Sequence, residues 1–583
     1  TTLTVCERFF IEKSLEMLYL GTVDSYRAKI NNPKTILEEL KYCLKEFQSK
    51  RIKHFLTIKT KEKADKSLVD EAILLITNQP HYLNFQSITS NYLELQLKNI
   101  SETNYKKLIP TIEILLNENI NYLETTITEL QKLIANCKGT FEELSTVDKT
   151  LNILYSELIH RGFSKGFLYK LVYGIFVNSL EQGKKFKDHF NNFKKRVLDE
   201  KSQYKVIFRL DTSNKVYDAI SSITNSQNIA LSDNIDDVKL IAKKAELKAF
   251  NAVANTRKYL TCCVEASDYL AGLKIGRSLL SEYLDVINLG MADEFLNIHN
   301  RVLVVDERSP LKGNFQNNAN LLDGKYKVEK EHYNAFAKKL PLINNNPQVA
   351  SETKEKIKSA IRYLRLGNQS VEMEHKFINY WIGLEYLFSN YESSSTIERL
   401  KMHFINAHTL AYTKRNIYSF RRSFLQLSKA VRKKVPAYLE GNDDYLKSSE
   451  FYKQVYENLM DEFPLLAYRA GKIKQWMFED GKEPNAKKYI IKHKENLEVH
   501  FTRIYRLRNE IIHDAATNTN NEQISSNLRY YLTFILNEII EYLSKNISKE
   551  ISIEDYFILN EIKLGNIEQN GSLLKDLLEV DCA

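Results

Sequence analysis

The sequence predicts a mainly α, multi-domain helical protein with a small α/β insert, and three observations carry that expectation. Helix breakers are scarce, with 18 glycines and 9 prolines in 583 residues, so long helices go uninterrupted. Apolar residues recur three and four apart through most of the chain. Only between residues 204 and 306 do β-favouring residues gather into short runs.

Residues 1–200 form the first predicted domain, a helical one, with amphipathic stretches at 36–47, 105–116, 122–135 and 148–158. The run Gly162-Phe-Ser-Lys-Gly166 interrupts the pattern before a helix over 167–180. No strand precedes it, so it reads as a connector and not as a phosphate loop. Residues 201–312 form the insert, with strands at 204–210, 238–242 and 300–306, helices at 214–223, 245–270 and 275–289, and helices on one side of a small sheet. No glycine fingerprint for a nucleotide occurs there. Residues 313–350, rich in Asn and without period, read as a linker. The last domain, 351–583, opens with a helix over 352–366 closed by Gly367-Asn368 and a more apolar one over 371–390. Further helices fill 441–488 around a glycine-proline loop at 481–484, a motif helix begins near Lys494, and a polar loop at 514–521 separates it from a strongly periodic helix over 524–543. The tail is expected to be polar with one short helix near 573–578.

Composition narrows the class of function. A hydrophobic share of 43% and a charged share of 27% are those of a soluble globular protein, and the net charge of +9 suits a polyanionic partner without demanding one. No apolar run reaches the 18 residues of a membrane span, and the N-terminus, which begins at Thr1, lacks the design of a signal peptide. A cytoplasmic location is the expectation. The six cysteines, Cys6, Cys43, Cys137, Cys262, Cys263 and Cys582, show no paired spacing and no nearby histidines, so neither a metal site nor a cofactor is expected. Cys262 and Cys263 read as small buried residues of a helix in a reducing compartment.

Function is argued from Arg506-Leu-Arg-Asn-Glu-Ile-Ile-His513-Asp. Within it Arg508, Asn509 and His513 form Arg-Asn-x-x-x-His, and helical periodicity puts Asn509 and His513 on one face with Arg508 beside them. A fixed cation, an amide and an imidazole suit phosphodiester chemistry. An Arg and a His near a helix C-terminus are also what the helix dipole favours, so spacing alone leaves a structural role open. In Phe377-Ile-Asn-Tyr-Trp-Ile-Gly-Leu-Glu-Tyr-Leu-Phe388, Glu385 shares a face with Trp381 and Phe388. That predicts a carboxylate against the core that needs a cation or donor, with Arg508 the candidate partner, unless Glu385 edges to solvent. Residues 414–434 contain Lys414, Arg415, Arg421, Arg422, Lys429, Arg432, Lys433 and Lys434 and no acid, interleaved with Tyr418, Phe420 and Phe424. Cations tracking phosphates and aromatics stacking on bases describe a single-stranded RNA surface. The alternative is a solvated helix whose aromatics anchor the core.

Together, the Arg508-Asn509-x-x-x-His513 motif and the preceding Trp381-x-x-Leu384-Glu385 helix resemble the HEPN superfamily, in particular Apea-like HEPN proteins of phage defence, over the C-terminal domain only. The resemblance implies a HEPN-like helical bundle and a metal-independent endoribonuclease in which the RNA's 2′-hydroxyl attacks the adjacent phosphate, leaving a cyclic phosphate and a 5′-hydroxyl. Arg508 would hold the phosphate, Asn509 position it or His513, His513 move a proton, and Glu385 orient Arg508. RNA, single-stranded or a tRNA loop, is the implied partner. Toxin or abortive-infection activity released by a phage-derived trigger is the implied role. Such domains commonly pair, and no second Arg-x-x-x-x-His occurs in the chain, since Arg399 and His403 are one residue too close; a homodimer through the C-terminal domain is expected. A HEPN module that binds RNA without cutting it, and a helical protein-interaction scaffold, are the alternatives.

Overall fold

The computed structural model describes residues 3–21, 31–50, 59–60, 63–64, 67–101, 103–178, 185–221, 229–251, 257–291, 297–318, 322, 330–370, 372–390, 396–478, 486–514, 522–545, 550–569 and 578. The protein is mainly α with one small sheet domain, as its periodicity predicts. It divides into two compact units. The first combines Thr1–Met17, Gly21–Ser156 and Leu322–Ala583, so segments that sequence reading kept apart, from 1–200 and 351–583, pack as one body. The second comprises Leu18–Leu20 and Glu157–Leu321.

In the second unit five antiparallel strands stand in the order β2-β3-β1-β4-β5: β1 Ser202–Asp211, β2 Ile229–Ser232, β3 Arg257–Ala266, β4 Asn297–Asp306 and β5 Gly313–Asn317. Both faces are covered, not one as expected. Tyr204, Val206, Phe208, Leu260 and Cys262 meet the helix Tyr269–Met291, while Ile207, Tyr259, Leu303 and Val305 meet Ile235, Leu240 and Phe250 on the other face. The largest misreading lies here. The expected helix over 245–270 is a short helix, Lys244–Phe250, followed by β3, whose buried Leu260, Cys262, Val264 and Ala266 alternate with the half-buried Thr261 and Cys263 and the exposed Glu265; an apolar Cys263 on the less buried face blurs that alternation in the sequence. Cys262 and Cys263 therefore lie in a strand. The expected strand at 238–242 is irregular chain, and Ile229–Ser232 forms the edge instead. The Gly162 to Gly166 connector is held shut from within: Ser164 donates from its backbone nitrogen and its hydroxyl to Asp268 (2.7 and 2.8 Å), which also caps Leu270 and Ala271. A carboxylate of the chain itself occupies the donors that a phosphate loop would offer.

The 313–350 stretch is no linker. It contributes β5 to the sheet of the second unit and then, in the first unit, the helix Lys330–Asn344, whose Phe336, Leu340 and Ile343 reach the core at helical spacing. An edge strand needs few apolar residues, which hid β5. Gly367 and Asn368 lie inside the helix Ser351–Gln369 instead of ending it, since Gly367 is where the Tyr380 ring lies against the backbone; an added Cβ would sit 2.6 Å from Tyr380 Cδ1. The tail carries a full helix, Ile553–Gln569, whose Ile553, Tyr556 and Phe557 join the core. The glycine-proline loop at 481–484, the motif-flanking loop at 515–521 and residues 573–577 lie outside the described residues. Cys6 and Cys137 form a disulfide in this unit, where sequence spacing suggested no pairing. Among the described residues no helix is long and apolar enough to cross a membrane.

Candidate active site

The motif lies on the helix Ala486–Asp514, which starts eight residues before Lys494 because Ile490 already packs in a core. Leu497, Phe501, Ile504 and Leu507 form its buried stripe against the aromatic helix Met373–Phe388 and the helix Glu522–Lys545. Arg508 and Asn509 follow directly, half-buried, and the Arg508 Nη1 donates to Asn509 Oδ1 at 3.1 Å. Arg508 Nε is buried and makes no hydrogen bond among the described residues. A guanidinium steadied by a neighbouring amide thus keeps donor capacity in hand at the end of the helix. The backbone of His513 continues that helix one turn beyond Asn509, as its spacing predicts, and its side chain lies outside the described residues.

Glu385 does not meet Arg508. Its carboxylate accepts from Trp381 Nε1 at 3.0 Å, because the i, i+4 spacing brings the indole N–H within reach on its own helix. Trp381 in turn packs 6.0 Å, ring to ring, from Tyr505 of the motif helix. The indole thus stands between Glu385 and the motif helix.

Of the predicted RNA-binding residues, several are neutralised by acids that follow them in sequence. Arg421 pairs with Asp443 at 2.6 Å, Lys429 with Glu440 at 3.4 Å, and Lys434 with Glu462. Arg432 donates to Tyr438 Oη at 3.0 Å and Arg415 to Tyr530 Oη at 3.0 Å. Phe420 and Phe424 are core residues, so only Tyr418 keeps an exposed ring. Arg422 and Lys433 remain as exposed cations with no carboxylate partner among the described residues. Should this face touch RNA, reversing Arg422 and Lys433 to Glu is expected to weaken binding and flatten its salt dependence, while reversing Arg421 changes both little. Filter binding at several salt concentrations checks this; equal effects from all three would show that the ion pairs do not decide which cations bind.

Two constellations escaped the sequence reading. Five and two residues before Arg508, the buried Arg503 and the partly buried Arg506 lie among carboxylates of the N-terminal segment. Arg503 Nε lies 3.2 and 3.3 Å from the two oxygens of Glu39 and its Nη2 3.1 Å from one of them; Nη2 also meets Glu71, and Arg506 meets Glu39 as well. The signal was two arginines flanking the apolar stripe, where only nearby carboxylates make burial tolerable. The second is a chain of hydrogen bonds from His493 Nε2 to His408 Nδ1 (3.1 Å), from His408 Nε2 to Tyr530 Oη (3.3 Å) and on to Arg415. Tyr412 stacks on His493 at 4.1 Å.

Near the exposed end of that chain, burial pushes the Glu538 carboxyl up to about 7, against the pull of Arg415. A raised carboxyl favours the fold while protonated, and that contribution is lost as pH rises through about 7. Glu538→Gln is therefore expected to raise the melting temperature at pH 8 relative to the native chain and to leave it nearly unchanged at pH 4. Thermal scans at the two pH values check it, and an equal shift at both would refute the assignment.

No known family model, curated protein or solved structure matches this chain.

Proposed function

We propose that the chain is a metal-independent endoribonuclease of HEPN type, with Arg508, Asn509 and His513 as its catalytic residues. The observation that supports this reading is the Arg508–Asn509 pair at the end of the motif helix, with the Arg508 Nε buried and uncommitted among the described residues. A fixed guanidinium stabilises the charge that develops on phosphate oxygens as the 2′-hydroxyl attacks, and an imidazole at His513 moves a proton at the 2′ or 5′ oxygen. Asn509 orients the guanidinium. Cytoplasmic RNA is the substrate, growth arrest during phage infection is the role, and a phage-derived signal is the trigger.

One motif per chain supplies one imidazole, so two chains joined through the C-terminal domain complete the site. Light scattering is expected to give a mass near twice 68.0 kDa. The test of the chemistry is incubation with RNA in excess EDTA, followed by mapping of the ends. Cyclic phosphate and 5′-hydroxyl ends are expected; activity that chelation removes and magnesium restores overturns the mechanism.

A further inference from the structure

The helix Val5–Leu18, which belongs to the first unit through Met17, is fastened there by two different kinds of bond. One kind is noncovalent. Arg8, Glu12 and Glu16 recur at i, i+4 and i+8 and meet in turn the corner between the helices Ser449–Leu459 and Pro464–Met477 and the face of the second. Arg8 Nη1 donates to the carbonyls of Asp461 (3.0 Å) and Glu462 (2.9 Å), Glu12 accepts from the Leu465 nitrogen at 3.2 Å, and Glu16 pairs with Arg469. Phe9 and Phe10 are fully buried, with the Phe9 ring edge-on to Tyr468 at 5.0 Å. The other kind is covalent. The Cys6–Cys137 disulfide ties the first turn of the helix to the C-cap of the helix Tyr122–Asn136, across 131 residues of sequence.

The two half-cystines are not equally placed. Cys6 is 1% exposed, whereas Cys137 is partly exposed and stands between the exposed Asn136 and Lys138. A thiolate from solvent therefore approaches on the Cys137 side, with Cys6 as the leaving thiolate. Nor are the two sides equally free to move once the bond opens. Just after Cys137 the chain is held by Glu143, whose Oε2 accepts from the backbone of Lys138 and Thr140, each at 3.0 Å, and from Thr140 Oγ1 at 2.9 Å. That anchor does not depend on the disulfide. On the other side Thr4 and Glu7 cap the helix reciprocally, at 2.9 and 3.2 Å, so an opened bond leaves the helix its start and removes its covalent tie. Packing remains there: a Cβ added at Gly139, where φ is +87°, would sit 3.1 Å from Val5 Cγ1. Cys43, Cys262 and Cys263 are free thiols, so disulfides are not a general staple of the described chain.

We propose that the Cys6–Cys137 pair is a redox-responsive site for a small thiol of the glutathione class, and that its state sets how firmly the N-terminal helix is docked. A thiolate attacks Cys137 Sγ, the S–S bond breaks, and the electron pair leaves on Cys6, which takes up a proton. A second thiolate then attacks the small-thiol sulfur of the mixed disulfide and frees Cys137 in the same way. Two small thiols are oxidised to one small disulfide, and the protein gains two thiols. Oxidised glutathione runs the exchange backwards and closes the clasp. Disulfides of proteins in reducing compartments are usually transient or redox-sensing, and the contacts of Arg8, Glu12 and Glu16 keep the opened helix near enough to be closed again.

The test is incubation of the full native chain in glutathione buffers of rising reducing strength, with thiols trapped by alkylation and mapped by mass spectrometry and hydrogen exchange read on the same samples. A glutathione adduct is expected on Cys137 and none on Cys6. Once the bond opens, the amides of residues 5–18 are expected to exchange at least about tenfold faster, the low end of what a disulfide contributes, while those of the helix Met373–Phe388 stay unchanged. Return to oxidised glutathione should restore the slow exchange. A bond that survives excess reduced glutathione in the folded chain, absence of an adduct on Cys137, or unchanged exchange at residues 5–18 after reduction overturns the proposal. Cys137→Ser is expected to show the fast exchange in every buffer, and a glutathione-dependent rate in that variant overturns it too, by placing the response at another cysteine. Should Cys137→Ser fail to fold by circular dichroism, the native chain decides alone.

Discussion

Arg508→Ala and His513→Ala are each expected to lower RNA cleavage at least about a hundredfold, the scale for removing a preorganised charge or an acid-base group. For Arg508 the structure sharpens the expectation. Its guanidinium is half-buried, tied to Asn509 Oδ1 at 3.1 Å, and not consumed by Glu385, so it has little to do for folding that a neutral residue could not replace. The loss should therefore appear in turnover with the melting temperature nearly unchanged. Asn509→Ala frees the guanidinium to rotate and is expected to cost less than Arg508→Ala. Initial rates on a labelled RNA, with circular dichroism of each variant, separate the two effects. A stably folded Arg508→Ala chain that cuts at the native rate would remove Arg508 from the site.

Glu39→Ala is expected to destabilise the first unit by about 3–5 kcal/mol, because it leaves two buried guanidiniums short of their carboxylate. Burial by itself pushes the Glu39 carboxyl up, but the charges of Arg503 and Arg506 and their hydrogen bonds outweigh it and hold the group far below the usual carboxylate range. Glu71, which meets a single guanidinium nitrogen, stays above that range because burial prevails. The signs differ accordingly. Glu39 contributes stability that is present above about pH 4.5 and lost as pH falls further, while Glu71 favours the fold in its protonated form. Urea unfolding at pH 7 measures the loss, and a change below about 1 kcal/mol, the level of an exposed pair, would refute the buried-cluster account. Since Arg503 and Arg506 precede Arg508 by five and two residues on the same helix, a milder change such as Glu39→Gln should also lower cleavage by loosening the motif helix.

What could be read from sequence follows the range of the interactions. The amphipathic helices of the first unit were legible because each writes its own period, and β1 and β4 because their apolar runs are short and bounded. β3 was not, since an apolar Cys263 on its less buried face blurs the alternation, and β5 was not, since an edge strand needs little apolar surface. In the candidate site, the adjacency of Arg508 and Asn509 follows from helix geometry alone. The indole that claims Glu385 is equally legible, since Trp381 precedes it at i, i+4 spacing on the same helix. The carboxylates against Arg503 and those that neutralise Arg421, Lys429 and Lys434 come from outside the segments that carry the cations, and no local pattern announces them.

The cluster at Arg503 also sets a schedule for biosynthesis. Glu39 and Arg503 are 464 residues apart, so at about 5–20 residues per second a ribosome works for roughly half a minute or longer between making the two. Throughout that interval the N-terminal carboxylates wait without their arginines while the whole inserted sheet unit emerges between them. The segment that carries Arg508 and His513 is therefore among the last to acquire its support, and a truncated nascent chain holds the clamp but none of the motif it steadies.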